Sequence, residues 1–343
     1  MTRRTVVTIT DVAQRAGVSR TSVSRYLNSN LENLSSETAA RIANAVRDLD
    51  YRPNAWARSL KTRHSGLIAA VVADLRNEHI LAVLDGIEMV VNTERYSLLI
   101  SNTQNRPDYE GKMIERLIQQ RVEGVILQPC DDRQSSAVQS LKREGIRVVL
   151  MDRSLDILPP LDTILLDNQN AIDQAMHHVI QQGYHHVLYV TDPAEHVTSR
   201  RERETAIKRQ DYNTLDVSIF VRKNSDTFQL GQTIEHWRTM NPEDHRVIIC
   251  ANVATTLFTV AVLDQMHIQV PKDMGLMAID DPPWAPYVLG GITSIAQPTI
   301  DLGRTAAERL MNRIQGNDSN PGRVLRLSGH LVERGSTKRV HTL

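Results

Sequence analysis

A chain of 343 residues, 41% hydrophobic and 23% charged, is too long for one ordinary core and reads as a soluble globular protein of two or three domains. Its formal net charge is zero, but the average hides an asymmetry. Residues 1–63 hold 11 Lys/Arg against 5 Asp/Glu, and the remainder holds 29 against 35, so a basic head precedes an acidic body and only the head is suited to a polyanion. No apolar stretch approaches the roughly 18 residues of a membrane span. Met1-Thr2-Arg3-Arg4 is followed by no apolar run, so a signal peptide is not expected and the reading is cytoplasmic. Cys130 and Cys250 each end an apolar run without metal-ligand spacing and read as buried, reduced thiols. No metal or cofactor is expected.

Short helices come first. Thr10 can cap a helix with Val12, Ala13 and Ala16 on its apolar face; Gly17 supplies a turn; Ser19 can cap a second helix carrying Val23 and Leu27. After a polar loop, Ser35 can cap a third helix with Ile42, Val46 and Leu49 on one face. Pro53 then breaks the pattern, and residues 51–63 read as a hinge containing a short helix. From Leu67 the texture alternates between strands and helices. Strands are expected at 67–73, 96–101, 124–128, 147–151, 186–190, 217–221, 247–251 and 275–279, with helices at 80–94, 109–120, 169–182, 227–240 and 255–266. Continuous apolar strands between amphipathic helices indicate parallel sheets covered on both faces, and about eight units suit two doubly wound lobes. Ligands of such folds bind beyond the carboxyl ends of the strands.

The run from Thr8 to Asn28, TITDVAQRAGVSRTSVSRYLN, resembles the helix-turn-helix signature of the LacI/GalR family of bacterial regulators. Tyr51-Arg52-Pro53-Asn54-Ala55-Trp56-Ala57-Arg58-Ser59-Leu60 is similar to that family's hinge, and the likeness continues to Val332-Glu333-Arg334-Gly335-Ser336-Thr337. A second helix set by a tight turn can enter the major groove with Arg20, Thr21 and Arg25 toward base edges. Ser19, Ser22, Ser24, Asn28 and Ser35 are short donors suited either to phosphates or to helix caps, and Thr10 stands with them near the backbone. The resemblance implies that paired hinge helices insert Leu60 into the minor groove, with Asn54 and Ala57 facing the same groove; the implied partner is a palindromic operator bound by a homodimer, a tetramer being the alternative. The loop 29–34 is one residue longer than the family's common form and resembles that of regulators of ketodeoxygluconate and related sugar-acid use.

The resemblance further implies an α/β architecture: an N-terminal three-helix module and hinge helix, then a periplasmic-binding-protein-like body of two doubly wound parallel-sheet lobes. The boundaries are 1–50, 51–63 and 64–343, with the N-lobe at about 64–162 and 292–327, the C-lobe at about 163–291 and 328–343, and crossovers near Asp162, Gly291 and Leu327. Family cleft positions match Asp74, Asn77, Asp152, Arg153, Arg201, Arg203, Asn252 and Asp280, with Arg201 as the arginine that grips the ligand. Trp284 either covers a sugar face or anchors its loop. Carboxylates, amides and arginine forks suit a polyol or sugar acid, and the arginines favour an anion unless Asp152 and Asp280 neutralise them. The pattern departs from the family at Asn77-Glu78-His79-Ile80, where Asn-Pro-Phe-Phe is usual, and also at Ala206-Ile207, Ala251-Asn252-Val253 and Ala278-Ile279-Asp280-Asp281.

The expected function is a regulator that represses a carbohydrate or sugar-acid operon and leaves DNA when a small effector closes the cleft. A family regulator controlled by a phosphorylated protein partner or corepressor is the alternative, and a sugar-binding transport protein a more distant one. An enzyme is not expected: the pairs His177-His178 and His185-His186 lack the spacing that puts two metal ligands on one helix face, and no nucleophile elbow or phosphate-binding glycine loop is present.

Overall fold

The computed structural model describes residues 7–27, 30, 32, 34–52, 64–133, 135–157, 160–209, 212, 214–223, 227–240, 245–318 and 320–338. The chain forms two compact units, Met1–Ser65 and Gly66–Leu343.

The first unit packs α1 (Ile9–Ala16), α2 (Arg20–Leu27) and α3 (Ser36–Asp48) around Val12, Ala13, Ala16, Val23, Ile42 and Ala45. Thr8, not Thr10, caps α1. Its extended backbone lets Oγ1 accept from the Asp11 N–H at 3.4 Å while the Asp11 carboxylate accepts from the Thr8 N–H at 2.7 Å. Thr10 lies inside the first turn and is exposed. Gly17 ends α1 at φ 63°, the left-handed conformation that closes a helix, and the Arg41 guanidinium donates to the Ala16 carbonyl at 2.6 Å.

The second unit contains two six-stranded sheets. In the N-lobe, β1 (Leu67–Val72), β2 (Ser97–Asn102), β3 (Gly124–Leu127), β4 (Arg147–Met151), β5 (Asp162–Leu166) and β11 (Val324–Leu327) form a parallel sheet in the order β11-β5-β4-β3-β1-β2. In the C-lobe, β6 (His186–Thr191), β7 (Asp216–Val221), β8 (Arg246–Cys250), β9 (Gly275–Ile279), β10 (Thr293–Ala296) and β12 (His330–Val332) follow the order β12-β10-β9-β8-β6-β7, with β12 antiparallel to β10. Each sheet buries apolar side chains on both faces, giving two core clusters per lobe.

Two crossovers fall later than the sequence reading places them. Because β5 pairs with β4 and β11 inside the N-lobe, the chain first leaves that lobe after Leu166 rather than near Asp162. Because β10 pairs with β9 in the C-lobe, the second crossover follows Ala296 rather than Gly291. The third lies between Leu327 and His330. In the N-lobe, α4 (Glu78–Thr93) and α11 (Thr299–Ile314) touch backbone to backbone: a Cβ on Gly86 would stand 2.1 Å from the Ile300 carbonyl oxygen, and one on Gly303 would stand 1.9 Å from that of Val83. Only glycine permits that approach. Among the described residues, no helix is long and apolar enough to cross a membrane.

Candidate functional site

The first candidate surface is α2. Val23 turns into the small core, while Arg20, Thr21 and Arg25 are exposed. Ser19 spends its hydroxyl as the cap, accepting from the Ser22 N–H at 3.1 Å; Ser35 likewise accepts from the Thr38 N–H at 3.2 Å. Ser24 is half-buried. Asn28, Asn54, Ala57 and Leu60 lie outside the described residues.

The second is a cavity of about 880 Å³ between the two lobes, at the carboxyl ends of the strands. Of the residues expected there, Asp74, Asn77, Asp152, Arg153, Arg203, Asn252 and Asp280 line it. Asp74 is paired with Arg76 at 2.8 Å, and Asn77 caps α4 by accepting from the His79 N–H at 3.2 Å. Asp152 and Asp280, at the ends of β4 and β9, hold φ of 61° and 101°, a strained conformation of the kind kept at binding sites. Burial alone would raise the Asp152 pKa, but the neighbouring His79, Arg153 and Arg203 hold it below the usual carboxylate value. Asp280 accepts from the Val253 N–H at 3.3 Å and from the Gln297 side-chain amide.

The guanidinium groups are fixed mainly by uncharged acceptors. Arg153 donates from Nη1 to Asn105 Oδ1 at 3.0 Å and to the Pro129 carbonyl at 3.1 Å, with Asp152 at 3.9 Å. Arg203, on α8 (Thr198–Ile207), donates to Asn168 Oδ1 at 2.7 Å and to the Ala251 carbonyl at 2.6 Å.

Two expected cleft residues lie elsewhere. Arg201 does not line the cavity: its guanidinium pairs with the buried Asp132 carboxylate on the N-lobe loop after β3. Trp284 packs partly buried against the C-lobe core, so its loop-anchor reading is the one realised. In their place the cavity wall includes His79, Gln128, Asp192, Arg200, Arg222 and Gln297. Gln128, Asp192 and Arg222 each directly follow a strand; the strand-end rule that found Asp152 would have found Arg222, while β3 ends one residue before and β6 one residue after the expected spans, which hid Gln128 and Asp192. Asp192 is gripped by Arg222 Nε at 2.7 Å and by the Asn252 amide at 3.0 Å, with Arg200 at 3.5 Å. Burial lowers the Arg200 pKa, only partly offset by Asp192. Cys130 also lines the cavity and Cys250 is buried; both are free thiols pushed up to about 12 by burial.

Asp131, Asp132 and His196 present ligand atoms within 4.8 Å of one another beside the cleft. Arg201 already answers Asp132, and Arg133 reaches His196 Nδ1 at 2.5 Å. The cluster therefore serves as a polar contact between the lobes.

An exposed second helix on a basic module, joined by one chain to a two-lobed ligand cleft, defines a ligand-responsive DNA-binding regulator. Residues 8–54 match the bacterial regulatory proteins of the lacI family, and residues 176–337 match a periplasmic binding protein-like domain. The HTH-type transcriptional regulator KdgR of Bacillus subtilis is 33% identical over 333 residues, spanning 96% of this chain and 97% of its own. The HTH-type transcriptional regulator PtxS of Pseudomonas aeruginosa is 35% identical over 331 residues, covering 96% of each. The crystal structure of the lac repressor dimer bound to operator and the anti-inducer ONPF superposes with a TM-score of 0.83 at 20% identity, covering 97% of this chain and 99% of that one, which shows the fold. The chain belongs to the LacI/GalR family and is a sequence-specific DNA-binding transcriptional regulator, not an enzyme.

Proposed function

We propose that this regulator represses a carbohydrate-use operon and is released from its operator by a sugar acid bound between the lobes. The observation that carries the reading is the pair of buried guanidinium groups, Arg153 and Arg203, whose hydrogen bonds go to neutral oxygens, with Asp152 3.9 Å from Arg153, so neither fork is taken up by a bidentate carboxylate. The hydroxyls of such a ligand have Asn252, Gln128 and strand-end carboxylates within the same cavity. The resemblance of loop 29–34 to sugar-acid regulators supports the same class.

On DNA, Arg20, Thr21 and Arg25 face base edges and Ser24 the backbone, while two hinges present Leu60 to the minor groove, so the operator is a palindrome and the regulator a homodimer. Effector binding closes the lobes and separates the hinges. Reciprocity follows: operator must weaken effector binding by the factor by which effector weakens operator binding.

The test is a thermal-shift panel of D-gluconate, D-galactonate, D-glucuronate, D-galacturonate and 2-keto-3-deoxy-D-gluconate beside D-glucose and D-galactose. An effector at about 100 times its dissociation constant adds about 2.7 kcal/mol of stability. Stabilisation by the uncharged sugars alone would overturn the sugar-acid reading, and equal effector affinity with and without operator would overturn the release mechanism.

A further inference from the structure

His79 stands at the start of α4 in the N-lobe, yet its ring meets charge from both lobes. Nδ1 lies 3.5 Å from the Asp280 carboxylate at the end of β9. The ring is buried, lines the cavity, and has no hydrogen-bond partner for Nε2 among the described residues. A buried donor beside a cavity is normally met by something that enters it. The charged groups facing the ring are Asp280 from the end of β9, Asp152 from the end of β4 and Arg203 from α8, with Glu78 adjacent on its own helix. Burial opposes protonation of the imidazole, but the Asp280 and Asp152 carboxylates outweigh both burial and Arg203, so its pKa is raised above the ordinary histidine value.

The fixed charge of the wall comes close to cancelling. Six Lys/Arg side chains line the cavity against seven carboxylates. Several of these are already matched, Arg222 with Asp192 and Arg76 with Asp74. An entering anion therefore finds no surplus of fixed positive charge, and one proton on a buried imidazole changes that balance. The family's aromatic pair at this corner would offer a ring face; His79-Ile80 stands in its place, and His79 offers a protonatable donor instead.

We propose that His79 is the specificity-determining residue for an anionic effector: as imidazolium it donates from Nε2 to the ligand carboxylate while Asp280 and Asp152 hold it, so binding takes up one proton from solvent and ties the N-lobe to the C-lobe. This rests on the sugar-acid reading above. Uptake of one proton makes affinity for the acid fall by about tenfold per pH unit between the imidazole pKa of the free protein and the higher one of the complex, whereas an uncharged sugar shows no such slope.

The experiment is calorimetric titration of the full-length protein with whichever of the five named sugar acids stabilises it most, from about pH 6 to about pH 9, in two buffers of different protonation heat. Above the imidazole pKa of the free protein, the wild type is expected to take up close to one proton. His79→Gln is expected to lose at least about tenfold in affinity near pH 6.5 and to lose the pH slope. Proton uptake by the wild type needs no variant, so its absence at every pH of the range overturns the proposal even where His79→Gln fails to fold. An unchanged slope in folded His79→Gln overturns it as well. Failure of all five acids to bind the wild type would instead overturn the sugar-acid reading, and this proposal with it.

Discussion

Arg201→Ala is expected to loosen a clasp between the lobes rather than to remove a ligand contact. Arg201 projects from α8 in the C-lobe to the Asp132 carboxylate of the N-lobe, and its Nη1 also donates to the Glu195 carbonyl at 3.2 Å. The Asp132 side chain is 5% exposed and that of Arg201 45%. A fully exposed pair would contribute about 0–1 kcal/mol, while leaving a buried charged acceptor unsatisfied costs about 1–3 kcal/mol. Asp132 keeps its backbone bond to the His196 carbonyl at 3.2 Å, so the loop is not released and a cost of about 1–2 kcal/mol is expected. Where the clasp belongs to the lobe arrangement that holds the effector, that cost weakens effector binding by about 5- to 30-fold without a ligand contact being lost. Calorimetric titration of wild type, Arg201→Ala, Asp132→Asn and the double variant measures the coupling between the two residues directly. The ranking of sugar acids should be unchanged. A reordered ranking, or a loss additive between the two sites, would refute the clasp.

Three further outcomes follow from other parts of the molecule. Gly86→Ala must push α4 off α11, because its Cβ would sit 2.1 Å from a backbone oxygen; a loss of about 1–3 kcal/mol in denaturant unfolding is expected, and an unchanged midpoint would show that the helices separate freely. Asp162 accepts from Arg309 at 2.8 Å, Arg313 at 2.7 Å and the Arg323 N–H at 3.0 Å. Burial would raise its pKa, but those partners lower it overall, so its contribution is present above the unfolded value and lost as pH falls through the folded one. Asp162→Asn should cost about 3 kcal/mol near neutrality and narrow the gap to wild type on acidification, checked by calorimetric melting; a gap that widens toward low pH would contradict the assignment. Arg20→Ala should relax preference at one base pair of each half-site at a cost of about 1–3 kcal/mol in operator competition; equal loss on all sequences would make Arg20 a phosphate contact.

The body's architecture was legible because its strands are continuous apolar runs: Arg147–Met151 and Gly275–Ile279 match the expected spans residue for residue. The strands without an expectation, β5, β10, β11 and β12, are short and cluster where the chain changes lobes. Their place is fixed by pairing with strands far away in sequence, as when β11 joins β5, and no local period carries that information. Without β5 and β10, the expected lobe boundaries fall before these strands instead of after them. Thr8 took the cap from Thr10 for a local reason that was readable: Asp11 stands three residues after it and completes the reciprocal box.

The arginine run on α8 shows how the remaining cleft assignment follows from helix geometry. Arg200 and Arg203 are three residues apart, share a face and line the cavity, whereas Arg201 is turned by about 100° from Arg200 and reaches the Asp132 loop. Glu202, turned further, meets Arg326 of β11 through Oε1 at 2.6 Å, and Thr198 at the start of the helix accepts from the Ser154 N–H at 2.9 Å. One C-lobe helix thus touches the ligand space on one side and the N-lobe at three separate places on others. A ligand that shifts the helix through Arg200 or Arg203 shifts with it the lobe contacts carried by the same rigid backbone. That shared backbone is a physical route from effector to lobe arrangement, and it requires no separate relay of side chains.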